Sequence, residues 1–303
     1  MRYTITHRTL YQYSSGVVLC HNEAQLLPRE TPWQLYRPSQ IRIKPRPALS
    51  VERVDFFGNR VLYFAIQDIH HRLEVTVATE VRVLDERPFD ESSPSSPWEQ
   101  ARWMLREDSD PEIIEARLFG LSSPFVAIQP EFREYAEPSF TPGRPLLEAM
   151  ADLNKRIYQE FKYDPHFTTV ATPLNEVLSE RRGVCQDFAH LAIACLRSLG
   201  LAARYVSGYL ETLPPPGQPR LIGADASHAW LAVYVPGVGW AEFDPTNCCM
   251  PREKHVTLAW GRDYGDVAPL RGVVTGGGKH AMKVSVDVAP NPEPFKKGSV
   301  DRG

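Results

Sequence analysis

The chain has 303 residues, 43% of them hydrophobic and 23% charged, with a formal net charge of -3. That length suits one large domain or two ordinary ones. The balance argues against a nucleic-acid partner, because no basic excess is available to neutralise phosphates. It argues against a membrane span too, since no run approaches the roughly 20 apolar residues one needs.

The opening segment, MRYTITHRTLYQY, lacks the apolar region and small-residue cleavage site of a secretion signal. Five cysteines, Cys20, Cys185, Cys195, Cys248 and Cys249, form no CxxC pair and suggest no disulfide framework. A reducing cytoplasm is therefore the expected compartment.

Residues 1–88 read as an N-terminal antiparallel β-domain, a small sandwich or barrel. RYTITH alternates, with Tyr3, Ile5 and His7 on one face. VERVDFFGNRVLYFAI is two apolar runs around Gly58-Asn59, a hairpin signal. Leu73, Val75, Val77, Val81 and Val83 recur at period two. Residues 89–144 read as a Ser- and Pro-rich linker followed by short helices. A helix is predicted from Pro145 to about Phe161, with Leu146, Met150, Leu153, Ile157 and Phe161 on one stripe. Another starts at TPLNEVL, with Thr172 as N-cap.

The helix after Cys185 places Phe188, Leu191, Ala192, Cys195 and Leu199 on one face, and Gly200 stops it. AARYVSGYL reads as a strand, PPPGQP as a loop, and HAWLAVYV, PGVG and WAEFDPT as strand, turn and strand. A last strand pair is expected in 270–290. The region 145–290 is taken as one core, and 291–303 as a loose tail.

Cys185 follows Gly183-Val184 at the predicted start of a helix. There, unpaired backbone N–H groups and the positive end of the macrodipole favour thiolate over thiol. Gly183 leaves room for a substrate backbone to approach. A cysteine nucleophile needs an imidazole, and the imidazole needs an acceptor to orient it. His190 lies on another face of the same helix, so it reads as a surface or interface histidine. His228 starts a strand beside the polar loop GADAS, and Asp244 ends the next strand. With a five-residue loop at 235–239, Tyr234 faces Trp240 and Trp230 faces Asp244. His228 and Asp244 are then diagonal neighbours, roughly 7–8 Å apart. An even loop puts them on opposite faces, so the pairing requires an odd loop or a bulge.

The blocks GVCQDFAHL, ARYVSGYL, DASHAW, GWAEFDPTN and GRDYGDVAPLRG resemble the transglutaminase-like superfamily. More narrowly, they resemble bacterial members with an N-terminal β-domain ahead of the core. The resemblance extends from about residue 1 to 290. It implies an α+β fold with a papain-like core, the nucleophile helix packed on an antiparallel sheet. By position it makes Cys185 the nucleophile, His228 the general base and Asp244 the orienting carboxylate. It implies cysteine-dependent acyl transfer at an amide bond of a peptide or protein, through a thioester. Hydrolysis is the expected outcome, with transamidation as the alternative. A reading of another class is a non-enzymatic peptide-binding module, as in superfamily members that have lost the triad. No cofactor and no metal are expected.

Other residues have blander readings. Cys195 is expected in the core, and Asp187 is expected to complement the helix dipole. Cys248, Cys249, His255 and Asp263 lack metal-ligand spacing. TGGGKH reads as a flexible turn. Arg262, Asp263 and Tyr264 either line the cleft or form an internal salt-bridged turn, and the sequence leaves both open.

Overall fold

The computed structural model describes residues 1–90, 93–211 and 227–291. The PPPGQP loop, most of GADAS and the tail beyond residue 291 lie outside the described residues. The N-terminal part is antiparallel sheet: β1 (Arg2–Ala24), β2 (Gln34–Tyr36), β3 (Gln40–Lys44), β4 (Leu49–Val54), β5 (Arg60–Ile66) and β6 (His70–Val83). Tyr3, Ile5, His7 and Thr9 are buried at alternate positions of β1, as period two requires. β4 and β5 form the expected hairpin, with Val54 opposite Arg60. Its turn is held by the Asp55 carboxylate, which accepts from the Phe57 and Asn59 N–H groups, and Gly58 supplies φ +75°.

Helices α1 (Trp98–Glu107), α2 (Pro111–Arg117), α3 (Pro130–Ala136) and α4 (Leu146–Glu160) follow. The stretch 89–144, expected to be linker and short helices, is more than a connector. Trp98, Leu105, Phe119, Phe132 and Phe140 are buried in the same core as the later helices. Next come β7 (Lys162–Tyr163), α5 (Leu174–Glu180), β8 (Arg182–Gly183) and α6 (Cys185–Ser198). Pro173 rather than Thr172 occupies the N-cap position of α5, with no side-chain cap. The Thr172 hydroxyl instead accepts from the Thr169 N–H in the loop ahead.

The second sheet contains β9 (Ala203–Leu210), β10 (Ser227–Val235), β11 (Gly239–Phe243) and β12 (His255–Gly261), in the order β11-β10-β9-β12. After the short α7 (Tyr264–Val267), the chain ends in β13 (Leu270–Gly276) and β14 (His280–Pro290). Both of these strands pair with β1. By hydrogen bonding they belong to the N-terminal sheet and not to the 145–290 segment in which the sequence reading put them. Alternation identifies a strand but is silent on which sheet takes it.

α6 packs on β9 and β10, and every residue from Asp187 to Arg197 is buried. A helix covered all round is a core helix, so its first turn is held rigidly in place. The two sheets meet through side chains that act as peptide groups. β12 is an edge strand. The Gln34 amide donates to Thr257 C=O at 2.7 Å and accepts from Thr257 N–H at 2.8 Å. The Asn59 amide does the same to Trp260, at 2.8 and 3.0 Å. Each amide satisfies both groups of one exposed peptide edge, which removes a site for stray strand pairing.

Candidate active site

Cys185 is the first residue of α6, half-buried, with Val184 in extended conformation before it. The structure gives Gly183 a further reason. A Cβ there would meet the Asp187 carboxylate at 2.8 Å, so the glycine makes room for Asp187. The Asp187 carboxylate accepts from Val184 N–H at 2.8 Å and from the Thr168 hydroxyl at 2.6 Å. It thereby ties the loop before α5 to the start of α6, a firmer duty than general complementation of the dipole. Burial raises its pKa, against the pull of those two hydrogen bonds.

His228 lies at the start of β10. In the β10–β11 hairpin, Tyr234 faces Trp240 and Val235 faces Gly239, leaving Pro236, Gly237 and Val238 as the loop. The register is the one the sequence reading needed. The loop is shorter than its five residues, but odd. Gly237 and Gly239 take φ +78° and +122°, which this tight reversal demands. His228 and Asp244 therefore share a face, and His228 Nε2 donates to Asp244 Oδ2 at 2.7 Å. Cys185 lies close enough to the same imidazole to raise its pKa. With Nε2 committed to the carboxylate, the nitrogen left for sulfur is Nδ1.

Asp244 is fully buried and heavily bonded. Oδ1 accepts from the Thr246 and Asn247 N–H groups at 2.9 and 3.2 Å. Oδ2 accepts from His228, from the Asn247 side-chain amide at 2.6 Å, and from His255 Nε2 at 3.0 Å. Burial opposes its charge, but the hydrogen bonds and charges of the two histidines outweigh that and hold its pKa well below the usual carboxylate range. Burial also opposes the charge on His228. The hydrogen bond to Asp244 and the proximity of Cys185 overcome it and push the imidazole up to about 10. At neutral pH the site thus holds a charged imidazole between a carboxylate and a sulfur.

Asn247 and His255 had no assigned role in the sequence reading. Asn247 stands in the quoted AEFDPTN, and an Asp followed at three residues by Asn past a strand end is a turn signal. His255 comes from β12, and nothing local in the sequence aims it at Asp244. His228, Asp244 and His255 bring three ligand-capable atoms within 4.8 Å of one another. Both imidazoles, however, point Nε2 at the same carboxylate oxygen at hydrogen-bond distance, the arrangement that shared protons produce. The metal set imagined from Cys248, Cys249, His255 and Asp263 does not assemble: His255 binds Asp244, while Asp263 caps α7.

His190 is not a surface residue. It is buried, stacked on Phe125 with ring centroids 5.9 Å apart, and its Nε2 accepts from Tyr264 N–H at 3.1 Å. Burial and nearby Arg197 press its pKa down to about 3, against the pull of Asp263. Arg262 and Asp266 form a two-pronged ion pair at 2.9 Å, and Asp263 accepts from the Gly265 and Phe125 N–H groups. The GRDYGD block is therefore an internal turn. Cys195 is fully buried in the core, as expected.

Residues 133–245 match the model of the transglutaminase-like superfamily, and residues 3–82 match that of the bacterial transglutaminase-like N-terminal region. A protein of Mycobacterium tuberculosis is 42% identical over 299 residues, covering 95% of this chain and 93% of its own length. The chain belongs to the transglutaminase-like superfamily. A Mycobacterium leprae protein, 30% identical over 291 residues, spans 95% of this transglutaminase-like chain and 98% of its own. Both relatives carry the name "Uncharacterized protein". Among solved structures, a "Putative Cysteine Protease" from Cytophaga hutchinsonii superimposes with a TM-score of 0.72, at 23% identity, over 98% of this chain and 94% of that one. At that identity the shared property is the fold. It is the α+β fold expected from the sequence: an N-terminal antiparallel sheet and a transglutaminase-like core. Among the described residues no helix is long and apolar enough to cross a membrane.

Proposed function

We propose that this transglutaminase-like chain is a cysteine-dependent acyl-transfer enzyme acting on amide bonds of peptides or proteins, with Cys185, His228 and Asp244 as its catalytic residues. One observation carries the reading. A helix-start cysteine sits beside an imidazole that is itself held at 2.7 Å by a buried carboxylate. Family membership and the shared fold support cysteine-dependent catalysis in general.

In this reading Cys185 reacts as the thiolate of a thiolate–imidazolium pair. It attacks the amide carbonyl while backbone N–H groups of the first turn of α6, that of Cys185 among them, hold the developing oxyanion. His228 then gives its proton to the departing amine, and a thioester remains on Cys185. Water, deprotonated by the now neutral His228, resolves the thioester to a free acid. We favour hydrolysis because water needs no second binding site, whereas transamidation needs one for the acceptor amine. The chain carries the residues of this chemistry itself, and the mechanism routes no step through a metal or organic cofactor. The cytoplasm is the proposed compartment, in keeping with the free thiols of Cys20, Cys185 and Cys195.

The test is capture of the acyl-enzyme. The protein is mixed with a peptide library, quenched in acid and weighed by peptide mapping. An acyl adduct on Cys185, absent in Cys185→Ser, is expected, together with alkylation of Cys185 by iodoacetamide faster than of the other four cysteines. A fast label on Cys248 or Cys249, with no adduct on Cys185, defeats the assignment. A slow, ordinary thiol at Cys185 favours a binding module.

A further inference from the structure

At the far end of the β10–β11 hairpin, six residues from His228 and so about 20 Å away along the strand, lies a groove of about 680 Å³. It opens where the N-terminal sheet meets β9–β12. It is lined by Arg29, Phe57, Arg204, Trp240 and Trp260 and by residues of α2. Its volume falls within the roughly 300–1,000 Å³ of small-molecule sites.

Part of this lining is a stack of alternating cations and rings. The Arg29 guanidinium carbon is 3.5 Å from the centroid of Trp260, and that of Arg204 is 3.7 Å from Trp260 and 4.4 Å from Trp240. Rings satisfy the two faces of a guanidinium. They do nothing for its five N–H donors, which radiate from the edge. Arg29 gives one of these to Asn59 at 2.8 Å. Arg204 is only 5% exposed, yet its side chain donates to no acceptor among the described residues, and its Nε is buried without a partner. The nearest carboxylate influence is Glu242, which stands across Ala232 from Arg204 and is bound to Arg87 at 2.9 Å. Burial and the proximity of Arg29 push Arg204 down to about 9, against the pull of Glu242. A buried guanidinium with faces satisfied and edge bare is an unfilled half of a bidentate pair.

We propose that this groove is a binding site for a carboxylate joined to an aromatic body, with the carboxylate on the edge of Arg204 and the ring against Phe57 and Trp240. A peptide C-terminus and a free aromatic acid share this chemistry. Glu112 and Glu115 on the α2 rim oppose an anion and set a ceiling on affinity. The site is independent of Cys185 chemistry.

The test is a tryptophan-fluorescence titration of the intact protein with N-acetyl-L-phenylalanine, its neutral amide, and 3-phenylpropanoate. The acid is expected to bind saturably, about tenfold or more tighter than the amide, as a charge-assisted hydrogen bond requires. Arg204→Met should abolish that preference, Arg29→Gln should weaken binding several-fold, and a Glu112→Gln, Glu115→Gln double variant should tighten it. Alkylation of Cys185 at the wild-type rate certifies that each variant is folded. If Arg204→Met does not fold, Arg29→Gln decides alone. Saturation by 3-phenylpropanoate to the same extent identifies a free-acid site, and binding of the N-acetyl amino acid alone identifies a peptide end; either outcome supports the proposal. No saturable signal, equal binding of acid and amide, or variants that bind as wild type would overturn it.

Discussion

Two histidines, His190 on α6 and His228 on the β10 strand that packs against it, each have an aspartate nearby and end in opposite charge states. His228 is pushed up to about 10 and is charged at neutral pH. His190 is pressed down to about 3 and is neutral. Burial disfavours the charge in both, so the difference lies in how the aspartate is used. Asp244 turns an oxygen directly on His228 at 2.7 Å. Asp263 spends its oxygens on the N–H groups of Phe125 and Gly265, and Arg197 adds a like charge near His190. His190 is left to accept a backbone hydrogen bond from Tyr264, which only a neutral ring nitrogen can do. What separates these two rings is the direct hydrogen bond from His228 to its carboxylate, which His190 lacks.

The largest effect is expected from Asp244→Asn. The amide cannot hold the imidazolium, so the pKa of His228 should fall toward its ordinary value near 6.5. Turnover of a captured substrate should drop on the order of 10³–10⁴-fold, as when a triad carboxylate is neutralised. Rates measured across pH should lose the imidazolium-dependent limb that in wild type extends to about 10. A variant with an unchanged profile would mean that Asp244 does not govern His228.

Arg197→Met attacks the other region. Arg197 donates to the carbonyls of Phe119, Ala203 and Arg262 and to the Ser123 hydroxyl. Removing a buried charge so bonded should cost about 3–5 kcal/mol, read by denaturant unfolding. Cys185 alkylation in the folded fraction should stay at the wild-type rate. His190→Gln should cost about 1–3 kcal/mol through the lost acceptor for Tyr264 N–H. It also carries a pH signature. A histidine whose folded pKa is depressed resists the proton that the unfolded chain accepts, so wild type loses stability as pH falls from about 6.5 toward 3. The variant should lose less over that window. The smallest effect belongs to Thr168→Val, about 1 kcal/mol from the hydroxyl that bonds Asp187.

The relative placement of Cys185, His228 and Asp244 was legible because each sits at a boundary that sequence marks well: a helix start, a strand start and a strand end. Parity of the hairpin loop did the rest. The further partners of Asp244 were not legible. His255 arrives from the first position of β12, ahead of a register shift between Thr257 and Ala259, and local pattern carries no record of it. His190 was misplaced because a helical wheel shows one helix, while α3, α7 and the second sheet cover faces that the wheel leaves open. The strands at 270–290 were legible as strands but not as partners of β1, since pairing between opposite ends of the chain is set by which edge remains free. Gln34 and Asn59, which stand in for peptide groups on β12, look like any polar residues in a loop.

The contrast between the two histidines is tested most directly by NMR titration of the imidazole carbons and nitrogens. The stabilisation from a charged His228 should be complete below about pH 6.5 and fade as pH rises toward about 10. The account predicts that the His228 resonances hold imidazolium shifts through neutral pH and move only toward pH 10, while those of His190 show a neutral ring down to about pH 3. A His228 that titrates near 6.5 or below would contradict it, since no charged imidazole would then stand between Asp244 and Cys185.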